Sequence, residues 1–291
     1  MQALERIVDP CAGTGEGPLW HPGEAALFWV DIPVGVLYRY DPETGENAVA
    51  YETDDSPLGG FTIEDDGCLL LFEHGVVRRL QPGSVDADPV VRVDSSTRFN
   101  DVIADPEGRV FCGTMPGENA LGDLYRIDPD GTVQVVLENV DIPNGMGFTT
   151  DEETFYFTES EANRIYAFDY DRTTGEISAQ RTFVETPPDD GVPDGMTVDE
   201  NGHIWSARWN GGRILRYDST GAVRAEYELP ARKVSSVTFG GSKYADLYVT
   251  TALDGGTRDA EGDGAGVLFR VPGSEIDAAG VPEFRSRIGI E

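Results

Sequence analysis

The amino-acid sequence predicts an all-β protein, a six-bladed β-propeller in which residues 1–291 form one domain. A short pattern recurs six times, and its opening residues are 43, 41, 44, 50 and 41 positions apart. A period of this length with β-rich content is typical of propeller blades. The segments between turns are of strand length and carry β-branched and aromatic residues, and none has the periodicity of a long helix.

The repeated pattern starts with a different residue in each copy. The copies are Glu16-Gly17-Pro18-Leu19-Trp20, Gly59-Gly60-Phe61-Thr62-Ile63, Asn100-Asp101-Val102-Ile103-Ala104, Asn144-Gly145-Met146-Gly147-Phe148, Asp194-Gly195-Met196-Thr197-Val198 and Ser235-Ser236-Val237-Thr238-Phe239. We place each opening residue just before the innermost strand of its blade. Because blades repeat around one axis, the six openers are expected near one mouth of the central channel.

Each repeat is predicted to contain three strands separated by tight turns. Asp, Pro and Gly dominate the turns because they favour turn backbone conformations; examples are 41–45, 65–67, 105–108, 128–131 and 199–202. Apolar strands follow at 27–30, 110–112, 154–157 and 203–205, and third strands at 36–40, 123–127, 164–168, 213–217 and 267–270. The chain ends, 3–8 and 283–290, are expected to complete one blade and close the ring.

The charge of the chain is strongly acidic. Asp and Glu total 53 against 22 Lys and Arg, a net charge of −31, and Lys233 and Lys243 are the only lysines. Molar salt screens such self-repulsion, so we interpret the composition as halophilic. The acidic residues are spread over every repeat, which disfavours an acidic interaction tail. The charge also excludes nucleic acid and anionic membrane as partners, and no segment is long and apolar enough to span a membrane.

Four of the six openers carry side-chain oxygens: Glu16, Asn100, Asn144 and Asp194. Oxygen donors meeting at one point suit a divalent cation such as Ca²⁺, Mg²⁺ or Mn²⁺, with Zn²⁺ as a further option. Asn-Gly and Asp-Gly are also ordinary turn dipeptides. A purely structural turn would more naturally repeat one residue, and we therefore predict a site for one metal ion.

Several motifs resemble those of the SMP-30/gluconolactonase/regucalcin family over nearly the whole chain. The motifs are Gly15-Glu16-Gly17-Pro18-Leu19-Trp20, Arg98-Phe99-Asn100-Asp101, Gly113-Thr114-Met115, Pro143-Asn144-Gly145, Pro193-Asp194-Gly195-Met196-Thr197-Val198-Asp199, Ser236-Val237-Thr238-Phe239-Gly240-Gly241 and Leu247-Tyr248-Val249-Thr250-Thr251-Ala252. The resemblance implies a six-bladed propeller, one divalent metal ion in the channel and hydrolysis of sugar lactones to aldonic acids.

The same resemblance implies roles for individual residues. Glu16, Asn144 and Asp194 would be the protein ligands of the metal, and Asp194 would also be the catalytic general base. Residues Arg98, Asn100 and Glu118 would bind the hydroxyl groups of the substrate. We expect Trp209 beside the pocket and the loop 254–266 near the channel mouth.

The sequence leaves two other functions open. One is a non-catalytic propeller that binds a metal as a scaffold, which would have no use for Arg98 and Asn100 facing the channel. The other is a related hydrolase acting on different esters, which would have an apolar channel mouth. We expect a cytoplasmic enzyme, since Met1–Pro10 lacks the apolar stretch of a signal peptide, and a monomer or small homo-oligomer whose partner is a small sugar lactone.

Overall fold

A computed structural model describes residues 4–95 and 97–289. Its strands form six four-stranded antiparallel sheets, which are the blades of a six-bladed propeller. In every blade the innermost strand lies at the channel and is followed outward by its sequence neighbours, except in the last blade. The predicted all-β class and six-bladed architecture are therefore confirmed.

The first three blades use consecutive strands. Blade 1 consists of β2 (Gly15–His21), β3 (Ala26–Asp31), β4 (Val36–Asp41) and β5 (Glu46–Glu52). Blade 2 consists of β6 (Leu58–Ile63), β7 (Leu69–Glu73), β8 (Val76–Leu80) and β9 (Ala87–Arg92). Blade 3 consists of β10 (Phe99–Ala104), β11 (Val110–Thr114), β12 (Gly122–Ile127) and β13 (Val133–Val140).

The remaining blades complete the ring. Blade 4 consists of β14 (Pro143–Phe148), β15 (Thr154–Glu159), β16 (Arg164–Asp171) and β17 (Glu176–Glu185). Blade 5 consists of β18 (Val192–Val198), β19 (Ile204–Trp209), β20 (Arg213–Tyr217) and β21 (Val223–Glu228). Blade 6 consists of β22 (Val234–Gly240), β23 (Asp246–Thr251), β24 (Leu268–Val271) and β1 (Glu5–Val8). One α-helix, α1 (Arg258–Glu261), and two 3₁₀ turns, Pro188–Asp190 and Gly273–Glu275, occur among the described residues.

Blades 1 to 5 each have a fourth, outermost strand that was not predicted, since only three strands per repeat were expected. These outer strands are mostly exposed, as in β17, and so lack the alternation of buried and exposed residues that marks a half-buried strand. By contrast, the second strands are continuous apolar runs because neighbouring blades cover both of their faces; β3 and β7 are buried at every position.

The hydrophobic core is divided among the interfaces between blades. Six clusters of buried side chains each join two blades that are adjacent in the ring. Between blades 5 and 6, for example, Trp205 packs edge-on against Phe239 with ring centroids 5.3 Å apart. Burial of apolar surface on both faces therefore ties every blade into the ring.

The two chain ends close the ring in different ways. Strand β1 pairs antiparallel with β24, so the N-terminus supplies the outer strand of blade 6 as predicted. Residues 276–289, which we call the C-terminal strap, form no blade strand, so the prediction that 283–290 completes a blade is wrong for residues 283–289. The strap instead crosses the channel mouth opposite the openers, where Gly280 N donates to Tyr244 O at 2.8 Å and Arg287 N donates to Gly108 O at 2.9 Å. The predicted pieces 3–8 and 283–290 include residues 3 and 290, which lie outside the described residues.

A search of the described residues for membrane-spanning segments identifies no helix with the length and apolar character to cross a bilayer.

Candidate functional site

Every innermost strand contains a β-bulge at its opening residue. The pairing with the second strand shifts register between Glu16 and Leu19, Leu58 and Gly60, Phe99 and Val102, Asn144 and Met146, Pro193 and Met196, and Val234 and Ser236. A bulge redirects a side chain out of the regular alternation. The openers therefore lie within or at the edge of the bulge in the inner strands, not before them as the sequence suggested, and the repeated pattern in the sequence is the signature of this bulge.

Five predicted site residues line one cavity at the opener mouth of the channel: Glu16, Arg98, Asn100, Asn144 and Asp194. The cavity has a volume of about 210 Å³, and Ser160, Glu161, Trp209 and Asp254 also line it together with the apolar residues Ile32, Met115, Ile142 and Val192. Such a volume suits a small molecule.

Arg98 and Asn100 form a joined pair on the cavity wall. Arg98 Nη1 donates to Asn100 Oδ1 at 2.8 Å and to Phe99 O at 2.8 Å, and Asn100 Nδ2 donates to Pro143 O at 2.9 Å. Burial lowers the pKa of Arg98, while the carboxylates of Glu16 and Asp194 act in the opposite direction. Arg98 is thus the one cationic residue among the described residues that line the cavity, and the other charged lining residues are acidic.

Asn144 is oriented by a buried serine. Asn144 Nδ2 donates to Ser160 Oγ at 3.2 Å, and Ser160 Oγ donates to Pro193 O at 2.7 Å. With its nitrogen engaged in this way, Asn144 has its carbonyl oxygen, Oδ1, free to act as an acceptor or ligand. Ser160 was not identified from the sequence, because a lone serine after a strand carries no distinguishing signal.

Two carboxylates of the cavity, those of Glu16 and Asp194, are in an environment that disfavours their charged forms. Burial, with a further contribution from Asp101, raises the pKa of Glu16 to about 8. Burial and the neighbouring carboxylates of Glu16 and Asp101 raise the pKa of Asp194 well above its usual value. Asp194 Oδ1 is buried and has no hydrogen-bond partner among the described residues. Carboxylates held together in this way attract a cation, which would stabilise both charges.

Further acidic residues line the channel beneath the cavity. Asp101 and Glu283, the latter from the C-terminal strap, border a smaller space of about 40 Å³ between the inner strands. Burial raises the pKa of Asp101 to about 6 and that of Glu283 to about 7. The strap therefore adds an acid to the channel that the sequence reading did not assign there.

Two openers without strong ligand character have packing roles. Ser235 is fully buried and donates to Gly15 O at 2.5 Å. At Gly59, a Cβ atom would lie only 2.3 Å from Phe99 O of the neighbouring blade, so the position requires glycine. These residues bring adjacent inner strands close together.

Glu118 is the one predicted site residue outside the cavity lining. It is exposed in the loop between β11 and β12 and is not part of the cavity lining. A hydrogen bond from Gly117 N to Ala120 O, 2.9 Å long, folds this loop into its own turn. The additional carboxylates at the cavity are Glu161 and Asp254, and Trp209 lines the cavity as expected.

The candidate metal donors are two carboxylates and one carboxamide: Glu16, Asp194 and Asn144. Among residues 4–95 and 97–289, no cluster of three or more His, Cys, Asp or Glu side chains has the arrangement to hold a metal ion. A mixed carboxylate and carboxamide set is typical of cations that prefer oxygen. The free Asp194 Oδ1 and the raised pKa values of both carboxylates fit such a cation.

Comparisons with known proteins agree on one family. The model described as SMP-30/Gluconolactonase/LRE-like region matches residues 14–253. The pentonolactonase XacC of Haloferax volcanii is 52% identical over 292 residues, 98% of each chain. A solved structure of regucalcin from Agrobacterium tumefaciens, titled a calcium-binding protein, superposes with a TM-score of 0.90 at 26% identity over 99% of this chain and 98% of that one. A gluconolactonase from Xanthomonas campestris gives a TM-score of 0.75 at 26% identity, covering 92% and 89%.

Proposed function

Because this chain belongs to the SMP-30/gluconolactonase/LRE-like family, we propose that it is a metal-dependent sugar lactonase that opens aldonolactones to aldonic acids. The observation that carries the proposal is the cavity itself. It is lined by Glu16, Asn144 and Asp194 from three blades and by the Arg98–Asn100 pair. The pentonolactonase at 52% identity over nearly the full length favours a five-carbon lactone as substrate.

Glu16, Asn144 and Asp194 would hold the divalent cation. When bound there, the cation supplies Lewis-acid polarisation of a carbonyl oxygen and makes water more acidic. Its positive charge would lower the raised pKa values of the two carboxylates, so that Asp194 is ionised near neutral pH and can accept a proton. The metal ion is Ca²⁺, Mg²⁺, Mn²⁺ or Zn²⁺, and the oxygen-only donor set favours the first three.

Asp194 is the proposed general base of the reaction. Its position deep at the cavity floor, only 3% exposed, would let the carboxylate take a proton from water attacking the lactone carbonyl. A positioned base of this kind contributes about 10²–10⁴-fold to a rate. Neither a histidine nor a cysteine is among the cavity-lining residues, so a carboxylate is the available group for this task.

The Arg98–Asn100 pair is proposed to bind substrate hydroxyl groups. The planar guanidinium can donate to two adjacent oxygens, a geometry that suits a polyol. Glu161 and Asp254 add acceptors at the cavity mouth. This polar lining supports a sugar substrate over a hydrophobic ester, and a metal-binding scaffold would have no use for it. Glu118 is exposed outside the cavity lining, and its role in binding a substrate hydroxyl stays a prediction.

The test is acid release from several pentono- and hexonolactones, followed with a pH indicator in molar KCl. Activity is expected to disappear with EDTA and to return with Mn²⁺, Mg²⁺ or Ca²⁺. The Asp194→Asn variant should lose about 10²–10⁴-fold in kcat, whereas Asp189→Asn, at an exposed position, should behave like the wild type. Turnover retained by Asp194→Asn would eliminate the proposed base. Failure of the metal-loaded wild type to hydrolyse any lactone would favour the scaffold.

A further inference from the structure

A buried lysine lies behind the part of the cavity wall formed by Trp209 and Asp254. Lys233 directly precedes β22, and its side chain is 9% exposed. It is one of only two lysines in the chain, and the other, Lys243, is exposed in a turn. A chain that uses arginine for nearly all of its positive charge thus places a lysine at one of its most enclosed charged positions.

Three groups surround the ammonium of Lys233. Nζ lies 2.9 Å from Glu261 Oε1, 3.4 Å from Asp254 Oδ2 and 5.7 Å from the centroid of the Trp209 ring. Cation–π contacts of this kind stabilise an aromatic ring most when they are shielded from water. Trp209 and Asp254 line the cavity, whereas Glu261 and Lys233 itself do not.

The same contacts fix the segment that carries Asp254. Residues 252–264 fold back on the chain just before β22, where Ala252 N donates to Lys233 O at 3.0 Å and Arg232 N donates to Glu261 O at 2.7 Å. Helix α1 begins at Arg258, whose guanidinium donates to Asp9 Oδ2 at 3.0 Å and secures the far side of this segment. The Lys233–Glu261 ion pair anchors the end of α1, so Asp254 is presented to the cavity on a fixed support.

The residue types on this part of the wall suit a sugar ring. An indole offers a flat apolar surface, and a carboxylate accepts hydrogen bonds from hydroxyl groups. An ammonium is a compact charge with three donors, so it can contact Glu261, Asp254 and the ring together, which the planar guanidinium of arginine does less well. Without this cation, Glu261 would be a buried charge with no partner, and Asp254 would lose the group that restrains it.

We propose that Trp209 and Asp254 bind the sugar ring of the lactone and that Lys233 is the positioning residue that holds both in place. This inference rests on the proposed lactonase function and adds a second recognition element to the Arg98–Asn100 pair. Lys233 acts through Trp209 and Asp254 and has no role in metal binding or in proton transfer. Its loss should therefore affect binding of the sugar more than the chemical step.

The test compares the Lys233→Met variant with the wild type and with Lys243→Met, the matched control at the exposed lysine. We expect Lys233→Met to raise KM for the best lactone about tenfold, with kcat within about threefold and an unchanged Kd for Mn²⁺. The Lys233→Arg variant should recover part of the loss, because it restores the positive charge. The Lys243→Met control should match the wild type.

Tryptophan emission gives a readout that is independent of turnover. Trp20, Trp29 and Trp205 are buried in the core, whereas Trp209 lines the cavity. Titration with the aldonate product should change the emission of the wild type but not of Trp209→Phe, and Lys233→Met should weaken this binding by the same factor as KM. In a Trp209→Ala/Asp254→Ala background, Lys233→Met should add less than about twofold to KM, because both partners through which it acts are gone.

A second variant is available if the first does not fold, and each possible result has a stated meaning. If Lys233→Met fails to fold, the Lys233→Met/Glu261→Gln variant removes the unpaired charge and is measured in its place. An unchanged KM in a folded variant, or an equal rise in Lys243→Met, would overturn the proposal. Parallel losses of kcat and Mn²⁺ affinity would also overturn it, since they would mark a general structural role. Wild-type protein that hydrolyses no lactone would overturn the proposed function instead.

Discussion

The hydroxyl of Ser235 donates a hydrogen bond to the carbonyl oxygen of Gly15, 2.5 Å away and 220 positions distant in the chain. Gly15 immediately precedes Glu16, so the last inner strand of the ring holds the first candidate metal ligand. The same relationship occurs twice more, because Asn100 Nδ2 donates to Pro143 O at 2.9 Å and Ser160 Oγ donates to Pro193 O at 2.7 Å. Each acceptor precedes a candidate ligand. Side chains of neighbouring blades thus orient all three candidate ligands.

Replacing Ser235 should therefore disturb a site that the residue does not line. The Ser235→Ala variant loses a buried donor to Gly15 O, which should lower the free energy of unfolding by about 1–3 kcal/mol. Loss of this hydrogen bond beside Glu16 should also weaken Mn²⁺ binding about tenfold, because groups that orient metal ligands commonly contribute this much to metal affinity. Denaturant unfolding and isothermal titration calorimetry measure the two effects.

The control for this prediction is Ser219→Ala, at an exposed turn, which should change neither quantity. Unaltered Mn²⁺ affinity in a folded Ser235→Ala protein would show that the contact between blades does not orient Glu16.

The channel acids predict an unusual dependence of stability on pH. Burial raises the pKa of Glu283 to about 7, against about 4.3 for an unfolded glutamate. Its contribution to stability is complete below the unfolded pKa and is lost as pH rises through the folded pKa. In EDTA, the Tm of the wild type should fall between about pH 4.5 and pH 7.5 as Glu283 titrates, by about 2–4 °C for each kcal/mol lost.

Variants separate this effect from that of the surface charge. Glu283→Gln should have a flatter Tm profile over the same pH range, whereas the exposed Glu275→Gln should follow the wild type. Added Mn²⁺ should raise the Tm more at the higher pH, because Glu16, with a pKa raised to about 8, must lose its proton to bind a cation. Identical profiles for Glu283→Gln and the wild type would contradict the raised pKa of this half-buried acid.

The C-terminal strap is predicted to stabilise the ring. Ile288 is fully buried in the cluster between blades 2 and 3, so Ile288→Ala should cost about 2–5 kcal/mol of unfolding free energy. Denaturant unfolding of Ile288→Ala and of Val281→Ala, a strap position that is 38% exposed, provides the comparison. Equal and small effects would mean that the strap lies on the ring without stabilising it.

The net charge of −31 predicts that salt stabilises the protein. At molar ionic strength the Debye length is about 3 Å, so repulsion among the acidic side chains is screened. We expect the Tm, measured by calorimetry at neutral pH, to rise steadily from low salt to molar KCl. Potassium chloride is the appropriate probe, because sulfate salts would also strengthen hydrophobic burial. A Tm that is independent of KCl would contradict the halophilic interpretation.

The sequence predicts the ring because the openers recur once per blade, with apolar strands and turns rich in Asp, Pro and Gly between them. Because the blades repeat around one axis, this periodicity alone predicts that Glu16, Asn144 and Asp194 lie close together. What the sequence could not supply depends on single contacts between distant segments. Ser160 and Lys233 act through contacts with residues far from them in the sequence, and the strap follows no repeat. The exposed outer strands lack a buried face, so no periodic pattern marks them.

The position of Glu118 illustrates a different limit. Its resemblance to a substrate-binding position rests on the order of residues after Gly113-Thr114-Met115, but the loop that follows turns on itself at Gly117 and Ala120. The place of a carboxylate in such a loop shifts with the hydrogen bonds of the loop itself, which the order of residues does not give. Strand residues such as Asn100 are not free to move in this way, because their register is fixed by pairing on both sides of the bulge.

The most direct test of the account is the anomalous scattering of Mn²⁺ in crystals grown or soaked with the metal. The account predicts one strong peak in the channel, about 2.0–2.6 Å from oxygens of Glu16, Asn144 and Asp194. A map with no peak between these three side chains, in crystals where Mn²⁺ is bound elsewhere or not at all, would contradict the claim that the three blades share one cation.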